Sequence, residues 1–96
     1  MKKVELKFPN DLTKLVGNSF GRKTYEKQVA TQIVDSQLNE IITIEFPQRI
    51  DRVSSSFIQG FFDEPIKKFG IEGVKTKFDF ISSIKDFRQF VIDNLE

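Results

Sequence analysis

The chain has 96 residues, 11 of them Phe, with 15 basic against 14 acidic side chains and no Cys, His or Trp. That length fits one domain, residues 1–96, with enough chain to bury a core and little beyond it. The missing residue types exclude a disulfide framework, a thiolate nucleophile, Cys-ligated zinc, a Ser-His-Asp triad and an imidazole base, so composition points to a domain that binds rather than catalyses, with no cofactor and no metal.

Val4-Glu5-Leu6-Lys7-Phe8 alternates with period two and reads as a half-buried strand, closed by Pro9-Asn10-Asp11. Residues 12–16 fit either a turn of helix or a fourth strand. Gly17-Asn18-Ser19-Phe20-Gly21 reads as a loop. The spacing then predicts a helix over 22–38. Tyr25, Val29 and Ile33 recur every four residues, Ala30, Val34 and Leu38 widen that face, and Lys23, Glu26, Lys27 and Gln28 supply the wet side. Ser19 or Asn18 is placed to cap its start.

Ile41-Ile42-Thr43-Ile44-Glu45-Phe46 is β-branched and nearly continuous, the pattern of a central strand covered on both faces. Pro47 ends it, and 48–52 follows as a polar loop. Ser54-Ser55-Ser56 opens a second helix, with Phe57, Phe61 and Pro65 on one line and Ile58, Phe62, Ile66 and Phe69 on the next. Pro65 is expected to break or kink this run near Glu64, Asp63 to cap a short second segment, and Gly70 to end it. Val74-Lys75-Thr76-Lys77-Phe78-Asp79-Phe80 alternates and reads as a less central strand. Ser82 or Ser83 caps a last helix over 84–94, lined by Ile84, Phe87, Val91 and Leu95, with Phe90 beside them. Strand and helix thus alternate three times. This predicts an α/β domain: a small mixed or mostly parallel sheet of three to four strands, with helices packed on it through right-handed crossovers.

Two runs stand out as candidate sites. Gly17-Asn18-Ser19-Phe20-Gly21-Arg22-Lys23-Thr24 superficially resembles a phosphate-binding loop. Such a loop has four residues between its glycines and Lys directly after the second, whereas here three intervene and Arg22 precedes Lys23. The plainer reading is a turn shaped by Gly17 and Gly21. Gly17, Asn18, Phe20 and Arg22 remain a secondary candidate site, with Arg22 placed for an ion pair or a partner contact.

Ser54-Ser55-Ser56 lies where the C-terminal end of a buried strand meets a helix start, the usual place for ligands in α/β folds. One serine suffices as a cap. The run is therefore also a candidate phosphorylation or partner-docking point, flanked by Asp51 and Arg52 and followed by Phe57. A phosphate there adds nearly two negative charges. No base adjoins Ser55, which argues against a catalytic nucleophile. No carboxylates have calcium-loop spacing.

The even charge balance, +1 net, forms no basic stripe. Nucleic-acid binding through Arg22, Arg49 and Arg52, or nucleotide binding through the glycine loop, is the alternative function. Eleven Phe are many for a small domain to hide. Some are expected to be shared with a partner chain, in a homodimer or a hetero-complex. With no apolar run of membrane-spanning length and no signal-type N-terminus, no membrane partner and a cytoplasmic location are expected.

Ile42-Thr43-Ile44-Glu45-Phe46, a short loop, Val53-Ser54-Ser55-Ser56-Phe57, a helix with Phe61 and Asp63-Glu64, and a closing Phe69-Gly70 resemble the core of the STAS-like domains of unknown function. These are small bacterial proteins akin to anti-sigma-factor antagonists. Gly17, Phe20 and Arg22 match that family's glycine–aromatic–arginine region before its first long helix, and the resemblance covers roughly residues 15–92. It implies a sheet with helices serving as a non-catalytic regulatory protein-interaction module. In the better-known relatives a serine in an Asp-Ser-Ser-Gly loop is phosphorylated by a partner kinase, a histidine-kinase-type ATPase. Laid onto this chain, Ser54 takes the Asp place, Ser55 that of the phosphorylated serine, Ser56 that of the second serine and Phe57 that of the glycine. The departures are the lost Asp charge, the bulk of Phe57 and Pro65 within the expected helix.

Overall fold

The computed structural model describes residues 2–33 and 40–95. Strand β3 (Ile42–Glu45) lies between β1 (Lys2–Glu5) and β5 (Phe78–Ile81), both parallel to it. Strands β2 (Lys14–Leu15) and β4 (Arg52–Val53) form a separate parallel ladder. The domain is therefore α/β, and every ladder among the described residues is parallel. The continuous β-branched run does what its pattern requires: Ile42, Thr43 and Ile44 are all buried, so β3 is covered on both faces.

On the edge strand β1 the alternation holds, with Val4 and Leu6 buried and Lys3, Glu5 and Lys7 exposed. Pairing sets in at Lys2, earlier than the 4–8 run suggests, because the Lys2 amide donates to Ile41 O at 3.0 Å and the ladder closes with Leu6 N–H on Glu45 O at 2.9 Å. Lys3 reaches across to Glu45 at 3.0 Å, which raises the Lys3 ammonium above its ordinary pKa. Residues 12–16 contribute a strand rather than a helical turn, since Leu15 is fully buried beside Val53 in the short ladder.

Helix α1 (Asn18–Thr24) starts four residues ahead of the expected position. Gly17, at φ 106°, is its N-cap residue, so Asn18 and Ser19 lie inside the helix and neither caps it. The glycine-rich run is thus helical and offers no open phosphate cradle. The helix continues into a π-helical turn, Tyr25–Val29, in which Ala30 N–H reaches back to Tyr25 O at 2.9 Å. Tyr25 and Val29 are buried as expected. Val34 and Leu38, assigned to the same helix, lie outside the described residues.

The 48–52 loop is not wholly polar: Ile50 is fully buried and anchors it. Helix α2 (Ser55–Phe61) gives way to α3 (Asp63–Lys77) at Phe62, whose φ −96°, ψ 6° departs from helical geometry. Pro65 sits in the first turn of α3, where its missing N–H costs nothing. Asp63 makes no cap and instead accepts from Lys67 at 3.2 Å. Gly70 breaks the helix with φ 75°, as its position suggests, but the chain then resumes helical turns to Lys77. Residues 74–77 are therefore helix, not strand. Their alternation is short, and Val74 and Phe78, four apart, serve a helical face equally well. The Thr76 hydroxyl donates to Glu72 O and Gly73 O, a helical backbond.

Helix α4 (Phe87–Asp93) starts later than the expected 84. Asp86, at φ 57°, turns the chain into it. Neither serine caps it: Ser82 accepts from Ile84 N–H at 3.1 Å, and the Ser83 hydroxyl donates to Gln48 O and Ile50 O, strapping the chain after β5 to the loop after β3. Arg88 in α4 donates to Phe78 O at 2.9 Å, Lys75 O at 2.7 Å and Asp79 Oδ1 at 3.3 Å, joining the last turn of α3 to the start of β5.

Between the sheet and the helices most of the Phe contacts are edge to face, with Phe46–Phe61 tilted. Phe46 touches Phe87 at 4.9 Å and Phe61 at 6.5 Å, and Phe62 bridges Phe78 and Phe80 at 5.6 and 5.8 Å. Such pairs add roughly 0.5–1.5 kcal/mol each beyond area burial. All eleven Phe are buried or half-buried within the one chain. Phe8, Phe20, Phe69, Phe80 and Phe90, the half-buried ones, pack against the core that the other Phe fill. Among the described residues the exposed large apolar ones are Val16, Ile41 and Ile81. No described helix is long and apolar enough to cross a membrane.

Candidate functional site

The two candidate runs, far apart in sequence, meet in space. Pairing of β2 with β4 continues through Ser54 N–H to Leu15 O at 2.8 Å, which brings Val16 and Gly17 alongside the serines. Ser54 adopts the extended backbone of an N-cap residue, and its Oγ accepts from Phe57 N–H at 3.1 Å. The same oxygen accepts from Gly17 N–H at 3.4 Å and shares a hydrogen bond with Ser56 Oγ at 3.0 Å. Ser54 thus caps α2 and ties the chain before α1 to it.

The helices behind this junction touch at backbone distance. A Cβ on Gly21 would overlap the Phe57 carbonyl oxygen, and a Cβ on Gly60 would overlap the Asn18 carbonyl oxygen. The two glycines face opposite helices, so the absence of side chains on both is what lets α1 and α2 close. Phe20 seals one side, edge-on to Phe57 at 5.5 Å and to Phe8 at 5.8 Å. Phe57 is fully buried, so its part in the site is to hold these helices together beneath the surface.

The charged candidates divide by their partners. Arg22 spans Asn18 Oδ1 at 3.5 Å and Asp63 Oδ2 at 3.6 Å, tying α1 to the start of α3. With Arg22 about half exposed, such a pair contributes at most ~1 kcal/mol. Asp51 pairs with Lys14 at 3.2 Å, and its amide donates to Thr13 O. Arg49 donates to the carbonyls of Phe8 and Pro9. Of the three arginines named for the nucleic-acid alternative, Arg22 and Arg49 are thus engaged within the chain, while Arg52 is exposed and makes no side-chain hydrogen bond or ion pair among the described residues.

The serine run divides in the same way. Ser54 is occupied as cap and strap, and Ser56 is half-buried and bonded to Ser54. Ser55, the first residue of α2, is exposed, and its hydroxyl makes no hydrogen bond among the described residues. Val16, next to the Gly17 that Ser54 holds, is 60% exposed.

A second feature escaped the sequence reading. Tyr25, Ala30, Ile33, Glu64, Lys68 and Phe69 line a cavity of about 380 Å³. Tyr25 is 5% exposed, and burial together with the nearby Glu64 carboxylate pushes its phenol up to about 12. The available signals were the i, i+4 spacing of Glu64 and Lys68 and the presence of one Tyr. Neither distinguishes a pocket wall from a solvated helix face. No group of three or more Asp or Glu among the described residues is arranged to hold a metal ion.

No family model, curated protein or solved structure matches the chain.

Proposed function

We propose that this chain is a non-catalytic regulatory module of the STAS-like kind, which presents Ser55 to a protein partner. The resemblance in residues 42–70 suggests the partner class, a cytoplasmic histidine-kinase-type ATPase that reads or phosphorylates the serine loop. The observation that carries the reading is the division of labour among the three serines. A cap uses Ser54, an internal bond uses Ser56, and Ser55 stands exposed between them, its hydroxyl unengaged among the described residues. Exposed Val16 and Arg52, which has no side-chain partner among the described residues, belong to the same β2–β4 ladder region and supply an apolar and a cationic contact. Phosphoryl transfer to Ser55 Oγ would place about two negative charges on this surface and change what a partner reads there.

The reading is tested by incubating the chain with ATP and a histidine-kinase-type ATPase from the same genome, followed by intact-mass and fragment analysis. One phosphate is expected, mapped to Ser55, lost in Ser55→Ala and kept in Ser56→Ala. Absence of both phosphate and measurable association with such ATPases, or a phosphate on another residue, sinks it.

A further inference from the structure

The cavity beside the π-helical turn carries chemistry that the serine surface does not use. Its apolar lining includes Ala30, Ile33 and Phe69. Among the described residues its polar side-chain groups are the Tyr25 hydroxyl, the Glu64 carboxylate and the Lys68 ammonium. None of the three makes a hydrogen bond or ion pair among the described residues. Tyr25 as a whole is only 5% exposed. Here the side chain lines the cavity, and it feels the Glu64 charge from across it.

Glu64 and Lys68 are equally telling. One residue earlier on the same helix, Asp63 and Lys67 have the same spacing and close at 3.2 Å. Glu64 and Lys68 border the cavity and stay apart, while the Lys68 ammonium lies 6.0 Å from the Phe69 ring. An acceptor anion, a donor cation and a neutral hydroxyl thus line the same cavity as these apolar side chains, in a volume at the lower end of small-ligand sites.

We infer that this cavity is a binding site for a small zwitterion with an apolar side chain, that is, a free aliphatic α-amino acid. The ligand ammonium pairs with Glu64 and the Tyr25 hydroxyl, its carboxylate pairs with Lys68, and its side chain rests on Ile33 and Phe69. This site is independent of Ser55, and its test leaves the serine reading untouched.

The chain supplies its own reporter. Tyr25 is the sole Tyr and there is no Trp, so intrinsic fluorescence observes this cavity alone. Titration with L-leucine is expected to change Tyr25 emission saturably at millimolar ligand. N-acetyl-L-leucine, which lacks the cation, and L-leucinamide, which lacks the anion, are each expected to bind at least about tenfold more weakly, the loss of one charge-assisted contact. Glu64→Gln should weaken L-leucine to the level of the acetylated ligand. In Lys68→Gln, L-leucine and L-leucinamide should become equivalent. Both positions are exposed, so both variants keep the fold, which circular dichroism checks. Tyr25→Phe, followed by calorimetry, should also weaken L-leucine. No saturable response to L-leucine, equal binding of the blocked ligands, or indifference to Glu64→Gln would overturn the assignment.

Discussion

Gly21 of α1 lies against the Phe57 carbonyl of α2 so closely that a Cβ at position 21 has no room. The obstacle is backbone, which cannot rotate away as a side chain can. Gly21→Ala is therefore expected to force the two helices apart and to cost roughly 3 kcal/mol, the upper part of the range for overpacking. Gly60→Ala, opposite the Asn18 carbonyl, should behave alike. Gly70→Ala meets open space and pays only for its backbone, φ 75° and ψ 166°, a region essentially confined to glycine, about 1–3 kcal/mol. Urea unfolding of the three variants checks that order. A Gly21→Ala protein as stable as the parent would contradict the close approach.

The serines should separate in the same measurement. Ser54→Ala removes the acceptor for Phe57 N–H and Gly17 N–H and should lower stability by ~1–2 kcal/mol. Ser55→Ala removes no hydrogen bond among the described residues and should stay within about 0.5 kcal/mol of the parent. The position proposed to meet a partner is thereby distinguished from the one that builds the fold.

Much of this arrangement was legible in the sequence, and the exceptions have physical causes. The central strand was plain, because a β-branched run buried on both faces leaves no alternative period. The break between α2 and α3 was marked by Pro65, and Ser54 as cap by the apolar helix that follows it. Helix α1 was not legible over 18–21. Glycine inside a helix costs about 1 kcal/mol, so local propensity argues for a loop there. What reverses the balance is contact with α2, some 37 residues on, which no local pattern encodes. The meeting of Gly17 with Ser54 was hidden for a related reason: it depends on a ladder only two residues long per strand. The helical stretch 74–77 was misread because four residues of alternation cannot be told from one helical turn.

Arg88 offers a test of geometry rather than charge. Its guanidinium serves two carbonyls and a carboxylate at once, including Lys75 O near the end of α3. Arg88→Ala should cost about 2 kcal/mol. Arg88→Lys should recover less than half of that, because a single ammonium does not reproduce the planar fork. Full rescue by Lys would show that charge alone matters at this position.

Alkaline titration should isolate Tyr25. An unfolded phenol ionises near 10 and this one near 12, so the native state holds its proton more tightly. Stability from this group is therefore fully present below about pH 10 and is lost as pH rises towards about pH 12, by roughly 3 kcal/mol. Lysines titrate in the same window, so the informative quantity is the difference from Tyr25→Phe. The variant should lose less stability than the parent between about pH 9 and pH 12. Phenolate absorbance appearing near pH 10 in the folded parent would contradict the burial.

The pairing of strands that skip one another in sequence has a consequence for how the chain is made. β1 waits for β3, β2 for β4, and β3 for β5, so among the described residues no sheet contact forms between consecutive strands. A chain emerging from the ribosome cannot zip up a hairpin and extend it. Its first strand stays unpaired until residue 42 has appeared, and the central strand keeps one open edge until residue 78 follows. Each closure bears the entropy of a long loop before any contact repays it. Folding should thus be slow for a domain of this size, with milliseconds to seconds expected of non-local topologies. Its nucleus should require the C-terminal half, so fragments ending before β5 should remain without a cooperative unfolding transition.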